Sequence, residues 1–323
     1  MKMLWSIVAM LMMCISHVGS AQPYPARPVT VVIPNAAGGP ADVYGRALAV
    51  PMARHLGQAL VIENIGGAGG NIGVAKVAKA APDGYTILYH NIGMATSPAL
   101  YRKLDYNPLT DFDYVGVVSH STLVMVARRE LPAADMNEFI AYAKIQGDRI
   151  TVADAGISSV SGLCALLFQA ALGMKFTAVS YKGTAPALND VMGGQVDLLC
   201  DSSTTAARHI TGGKVKALGV TSRSRMATLP GVPTLEEGGL RGFEVLPWTA
   251  LYVPKKTPRP VIDRLVAALQ AGLADPDLIS HYEKLGLQAA SRELASSAGL
   301  QSLLAADTAK WGVLIKKTGI SVE

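Results

Sequence analysis

Four short stretches gather residues able to hold an anion: PNAAGGPAD (34–42), NIGMATS (91–97), AGISSVSG (155–162) and YKGTAPAL (181–188). Glycine lacks a Cβ, so a ligand oxygen can approach its backbone closely, and successive N–H groups at a helix start form a cradle for negative charge. Hydroxyls such as those of Ser158, Ser159, Ser161 and Thr184 can donate to the same oxygens and rotate to suit them. Any one stretch read alone fits a tight turn or a helix cap as well as a ligand contact. Four of them in one chain point to a binding site. Asp42 reads as the N-cap of the first helix, since a second carboxylate in a dry cleft would repel an anion.

Residues for other chemistries are poorly arranged. The histidines at 17, 55, 90, 120, 209 and 281 are scattered, with no HExxH and none beside a cysteine pair, so no metal is expected. GGAGG (66–70) precedes a helical pattern, but it does not complete GxGxxG, so no nucleotide cofactor is expected and an edge-shaping structural role is preferred. An exported serine hydrolase is the competing class. The serines of GISSVSG invite it, yet there is no G-x-S-x-G elbow and no histidine with a recognisable partner.

The elements that position these stretches follow from periodicity. Apolar, β-branched runs at 29–33, 59–64, 85–90, 122–127, 149–154, 176–181, 196–201 and 215–221 alternate with helix-spaced segments. Such alternation predicts an α/β fold of mainly parallel sheets with helices on both faces. After Trp248, TALYVP is followed by helical patterns at 258–275 and toward the C-terminus, with Gly319 as a stop. Ligands of such sheets bind beyond the carboxyl ends of strands. Two of the four stretches lie in the first third of the chain and two in the middle third, which places a shared ligand between two lobes.

Composition sets the compartment and the partners. Lys2, an apolar run at 4–15 and small residues at 19 and 21 predict a secretory signal over residues 1–21. That apolar run is shorter than the ~20 residues needed to span a bilayer. The formal net charge of +5 at pH 7 is spread as isolated pairs such as Arg128 and Arg129, so nucleic acid is not expected as a partner. Cys164 and Cys200 remain after export, where they can either pair or sit as small buried hydrophobes.

Several longer stretches carry a family resemblance. PARPVTVVIPNAAGGPADVYGRALA, VIENIGGAGGNIGVAKVAKAAPDGYTIL, PALYRKLDYNPLTDF, VSYKGTAPALNDVMGGQVDLLCD and VPTLEEGGLRGFEVLPWTALYVP resemble the periplasmic substrate-binding proteins of tripartite tricarboxylate transporters, the Bug or TctC family. The resemblance spans the mature length. It implies a monomeric, two-lobed periplasmic binding protein of the type II-like flytrap kind with two interdomain crossovers. One lobe would comprise 22–122 plus 246–323 and the other 123–245. It further implies no catalytic step, a small carboxylate ligand, and either delivery to an integral membrane permease or a sensing role beside a histidine kinase.

Carried over residue by residue, the resemblance implies ligand contacts from Asn35, Ala37, Gly38, Gly39 and Pro40 in the first lobe. From the second it implies Ser158, Ser159, Ser161, Lys182, Gly183, Thr184, Ala185 and the cleft-facing Asp201. Gly93 belongs to the second stretch of the first lobe. The family usually has an aromatic residue at the position of Asn35, small residues around His90, and histidine at the position of Gly162. These departures point to a longer or dicarboxylic ligand met by Asn35 or His90. An aromatic acid such as terephthalate would stack on Trp248, Tyr89 or Tyr181.

Overall fold

Val29–Ile33 is a run of β-branched residues with four of five positions buried, which makes it an interior strand, β1. In the computed structural model, which describes residues 24–35, 37–156, 159–181 and 183–318, the pattern continues along the chain. The expected signal segment, Ser158, Lys182 and the Gly319 stop lie outside these residues. The remaining strands are β2 (Leu60–Asn64), β3 (Thr86–Asn91), β4 (Phe112–Ser121), β5 (Leu123–Arg128), β6 (Thr151–Asp154), β7 (Thr177–Ser180), β8 (Leu198–Ser202), β9 (Val215–Val220), β10 (Trp248–Pro254) and β11 (Leu287–Ala289). The helices are α1 (Pro40–Leu56), α2 (Asn71–Ala78), α3 (Gly93–Leu100), α4 (Met136–Gln146), α5 (Val160–Leu172), α6 (Thr184–Met192), α7 (Ser203–Thr211), α8 (Arg259–Leu273), α9 (Pro276–Lys284) and α10 (Ser297–Thr318).

Two sheets result, one ordered β11-β4-β10-β3-β1-β2 and the other β7-β6-β8-β5-β9. The two-lobed α/β architecture holds, and both sheets are mixed. Among the named strands, the parallel pairs are those of β2-β1-β3 and β7-β6-β8. The strands that carry the chain out of one lobe and back pair antiparallel: β4 with β10, and β5 with β9. A strand leaving a lobe and one returning to it run in opposite directions, and helix alternation alone does not reveal this.

The long strand β4 is missing from the apolar runs picked out in the sequence. Its alternation is broken by Gly116, where a Cβ would lie 2.7 Å from the Ala295 carbonyl carbon. The glycine lets the segment leading into α10 pack onto the strand, so α10 rests on α3 and β4 in the first lobe. Ser121 ends β4 and Leu123 begins β5, and the second crossing runs beside this one. The Ser121 N–H donates to the Pro247 carbonyl at 2.8 Å, and the buried Thr221 hydroxyl donates to the Val245 carbonyl at 2.7 Å and accepts from the Leu123 N–H at 3.0 Å. These bonds stitch the two connections into one hinge.

Cys164 on α5 and Cys200 on β8 form a disulfide, with Cα atoms 6.1 Å apart. This settles the two alternatives open in the sequence. It ties a helix of the second lobe to the strand that carries Asp201.

Candidate functional site

The first stretch is braced from within. Gly38 has φ +76°, a left-handed conformation natural to glycine. Its N–H donates to Asp42 Oδ2 at 2.9 Å, and Arg46 pairs with the other oxygen, Oδ1, at 2.9 Å. Arg46 also donates to Asn64 Oδ1 at 3.2 Å, and Asn64 Nδ2 donates to the Asn35 carbonyl at 3.2 Å. The Arg46 guanidinium, and after it the Gly38 N–H, hold the Asp42 carboxyl below the usual carboxylate range. Asp42 is therefore not the N-cap. Gly39 is, and Asp42 sits at the third helical position, reaching back to the loop.

In the second lobe the serine-rich stretch caps its own helix. Ser159 Oγ accepts the Gly162 N–H at 3.0 Å and donates to the Gly156 carbonyl at 2.6 Å, while Ser161 Oγ accepts the Ala155 N–H at 2.9 Å. Buried Asp154 joins this loop to the next, accepting from the Gly156 N–H at 2.7 Å and the Ser180 hydroxyl at 2.9 Å. Helix α6 starts from Gly183, whose φ of +133° only glycine adopts readily, and α7 starts from Ser202.

These starts converge on a cavity of about 620 Å³ between the lobes. The first lobe contributes Asn35, Gly39, Pro40, Tyr44 and Asn91; the second contributes Ser161, Gly183, Thr184, Asp201 and Ser202; Ser121, Leu123, Pro247, Trp248 and Thr249 line the hinge side. None of the caps of α1, α6 and α7 makes a side-chain hydrogen bond to its helix. First-turn N–H groups have no intrahelical acceptor, and a helix start carries about half a positive charge. Among the described residues the lining holds no lysine, arginine or histidine, and these dipoles contribute positive field there. A groove of about 550 Å³ by Lys76, Lys79 and Lys103 is lined by none of the four stretches; Ala68, of the separate glycine cluster, borders it.

Of the expected contacts, Asn35, Gly39, Pro40, Ser161, Gly183, Thr184, Asp201 and Trp248 line the cavity. Ala37, Gly38 and Ala185 are exposed and do not line it, and the Gly38 N–H is spent on Asp42. Ser159 does not line it either, its hydroxyl being consumed by the cap.

His90 is a correction. It lies in the core at 3 % exposure, not at the cleft mouth, and burial pushes its imidazole down to about 4. It packs beneath the turn that carries Gly93, where a Cβ would come within 2.9 Å of its Nε2. Gly93 likewise stays out of the cavity, and its N–H donates to Asn91 Oδ1 at 2.9 Å. The residue that reaches the cavity from this strand end is Asn91, one position beyond His90. Alternation along β3 decides this, because successive side chains point to opposite faces.

The stacking aromatics are also corrected. Tyr89 is buried away from the lining, and Tyr181 donates to Asp190 at 2.7 Å. Trp248 is a lining residue, but its indole N–H is tied to Asp307 at 2.7 Å and only 1 % of the residue is exposed. Tyr44, Asn91, Ser121, Ser202 and Thr249 are lining residues that sequence reasoning missed. Tyr44 was findable, one helical turn after Pro40 on the same face. Ser121 and Thr249 depend on where the strands cross and carry no local signal.

Burial pushes the Asp201 carboxyl up, against the Ser202 N–H and the Thr184 hydroxyl, which favour its charged form. Burial likewise raises the Tyr44 phenol, opposed by a hydrogen bond with Thr204 and aided by the Asp201 charge. Tyr44 and Thr204 belong to different lobes, so this hydrogen bond spans the cleft. Among the described residues no group of three or more His, Cys, Asp or Glu is placed to hold a metal, and no helix is long and apolar enough to cross a membrane.

Comparison with known proteins agrees with this geometry. Residues 44–320 match the tripartite tricarboxylate transporter family receptor. The "UPF0065 protein in the TAR-I ttuE-ttuC' intergenic region" of Agrobacterium vitis is 42 % identical, over 92 % of this chain and 86 % of its own. Among solved structures, the periplasmic binding protein BugD is 45 % identical with a TM-score of 0.80, over 93 % of this chain and all 100 % of its own. MatC from Rhodopseudomonas palustris, with bound malate, is 37 % identical with a TM-score of 0.79, over 90 % and 100 %. A two-lobed periplasmic-binding fold, a cleft ringed by helix starts and a match along most of its length mean that the chain belongs to the tripartite tricarboxylate transporter receptor family, the Bug or TctC solute-binding proteins.

Proposed function

We propose that this chain is exported by cleavage of residues 1–21, captures a small dicarboxylate between lobes formed by 22–122 plus 246–323 and by 123–245, and hands it to a tripartite tricarboxylate-type membrane permease. It acts as a binding protein with no catalytic step. The observation that carries the reading is the convergence of the α1, α6 and α7 starts, none with a side-chain cap, on one interlobe cavity whose described lining has no basic side chain. Such a cavity favours an anion through backbone dipoles and hydroxyls. Malate in MatC supports the same ligand class. Of the three aromatics expected to stack, Tyr89 and Tyr181 are engaged elsewhere, and Trp248 together with Tyr44 borders the space.

Binding across two lobes favours the closed arrangement only when a ligand bridges them. A ligand at about 100 times its Kd adds about 2.7 kcal/mol of apparent stability. The purified protein, unfolded and refolded to release any bound molecule, is expected to gain melting temperature with dicarboxylates and to leave them unchanged in the supernatant. No shift with any mono-, di- or tricarboxylate would end this reading. Mass spectrometry of the molecule released by mild denaturation identifies the natural ligand.

A further inference from the structure

Carboxylate capture by itself leaves one lining residue without a purpose. Asp201, next to last in β8, lies in the cavity wall at 2 % exposure. Its Oδ1 accepts the Ser202 N–H at 2.8 Å, but its buried Oδ2 has no protein partner among the described residues. A buried acceptor left unmatched is costly, and a carboxylate more so. The groups around the carboxyl are the Thr184 hydroxyl, the Ser202 N–H already bound to Oδ1 and the Tyr44 phenol, and no described lining residue is a base. An anionic ligand oxygen placed against Oδ2 would add repulsion to the desolvation already incurred.

We infer that Asp201 Oδ2 accepts a hydrogen bond from a donor on the ligand, so that the site selects a small carboxylate bearing a hydroxyl or ammonium group over the same acid without one. The inference rests on the carboxylate-capture reading. The helix starts hold the ligand carboxylates, and Asp201 reads what stands between or beside them. A site that offers a buried acceptor rejects the analogue lacking the donor far more strongly than an apolar wall would.

Calorimetry on the refolded protein with matched series tests this: propionate, lactate and alanine; succinate, malate and aspartate; glutarate, 2-hydroxyglutarate and glutamate. In the series that binds, the hydroxy or amino member is expected to bind at least about tenfold more tightly than the plain acid. A lead for the hydroxy acid assigns a hydroxyl donor, and a lead for the amino acid an ammonium; either supports the inference. Asp201→Asn is expected to close that gap, because its amide N–H₂ faces the ligand where an acceptor stood. The wild-type comparison stands even if this variant does not fold.

Equal affinity within a series would overturn the inference while leaving carboxylate capture intact. So would an equal loss for all members in Asp201→Asn, which would assign Asp201 to a protein partner. Uptake of one proton with the plain acid, read from buffers of different ionisation heat, would also overturn it, since Asp201 would then be the donor. If nothing in the nine-member panel binds, and no wider carboxylate panel shifts the melting temperature, the capture reading fails first.

Discussion

His90 shows how one buried titratable group ties stability to pH. The folded protein holds its imidazole at about 4, against an ordinary 6.5, because burial disfavours the charged ring. As pH falls the unfolded chain binds the proton first. The stability His90 contributes is therefore complete above 6.5 and drains between 6.5 and about 4. The slope is at most about 1.4 kcal/mol per pH unit. His90→Leu is expected to melt with a flatter acid dependence across this window, measured by thermal denaturation at stepped pH. Asp42 acts at the same scale through geometry. Asp42→Asn weakens the Gly38 and Arg46 bonds together, and a loss of about 1–2 kcal/mol in chemical denaturation is expected, with looser ligand binding.

The elements of the site are helix starts, and their conformations set what can be substituted. Gly183 precedes α6 with φ +133° and nothing within 4 Å of a built Cβ, so the objection to a side chain there is backbone strain, not space. Gly183→Ala should cost about 1 kcal/mol of stability and turn the α6 N–H groups away from the cavity, seen as weaker binding in calorimetry. Gly38 and Gly39 separate for the same reason. Gly38 needs its positive φ to present its N–H to Asp42, whereas Gly39 caps α1 at an ordinary φ of −77° and borders the ligand space. The first is a loop-shaping glycine and the second a lining one, a division that the pair of letters GG does not display.

At the scale of the whole molecule, the lobes meet away from the hinge as well. The Thr204 hydroxyl at the start of α7 donates to the Leu285 carbonyl, and a Cβ on Gly286 would sit 2.8 Å from Thr204 Oγ1. Gly286→Val should prop the lobes apart and weaken ligand affinity with little change in secondary structure, checked by calorimetry and circular dichroism. The Cys164–Cys200 disulfide closes a loop of sequence separation 36 within the second lobe. Replacing both cysteines with alanine should lower stability by about 3–4 kcal/mol through the freed unfolded chain, measured by urea denaturation. Ligand binding would persist wherever the lobe remains folded, because Cys200 lines the cavity while Cys164 does not, and a bonded sulfur has no proton to donate.

The sequence determined the class of site and the elements that carry it. Apolar runs named most of the strands, and glycine with hydroxyl residues marked most of the joints that border the interlobe cavity, because both signals are written in a few neighbouring residues. Tertiary structure decided which joint residues face the cavity. Asn91 faces it and His90 does not, since one step along a strand turns a side chain to the other face. Ser159 was absorbed by its own cap and Gly38 by Asp42, since a backbone or hydroxyl group near a helix start has local partners that compete with any ligand. The long strand β4, the antiparallel returns through the hinge and the unmatched oxygen of Asp201 arise from segments far apart in the chain. Only their packing brings those groups to one place, and no local pattern in the sequence records it.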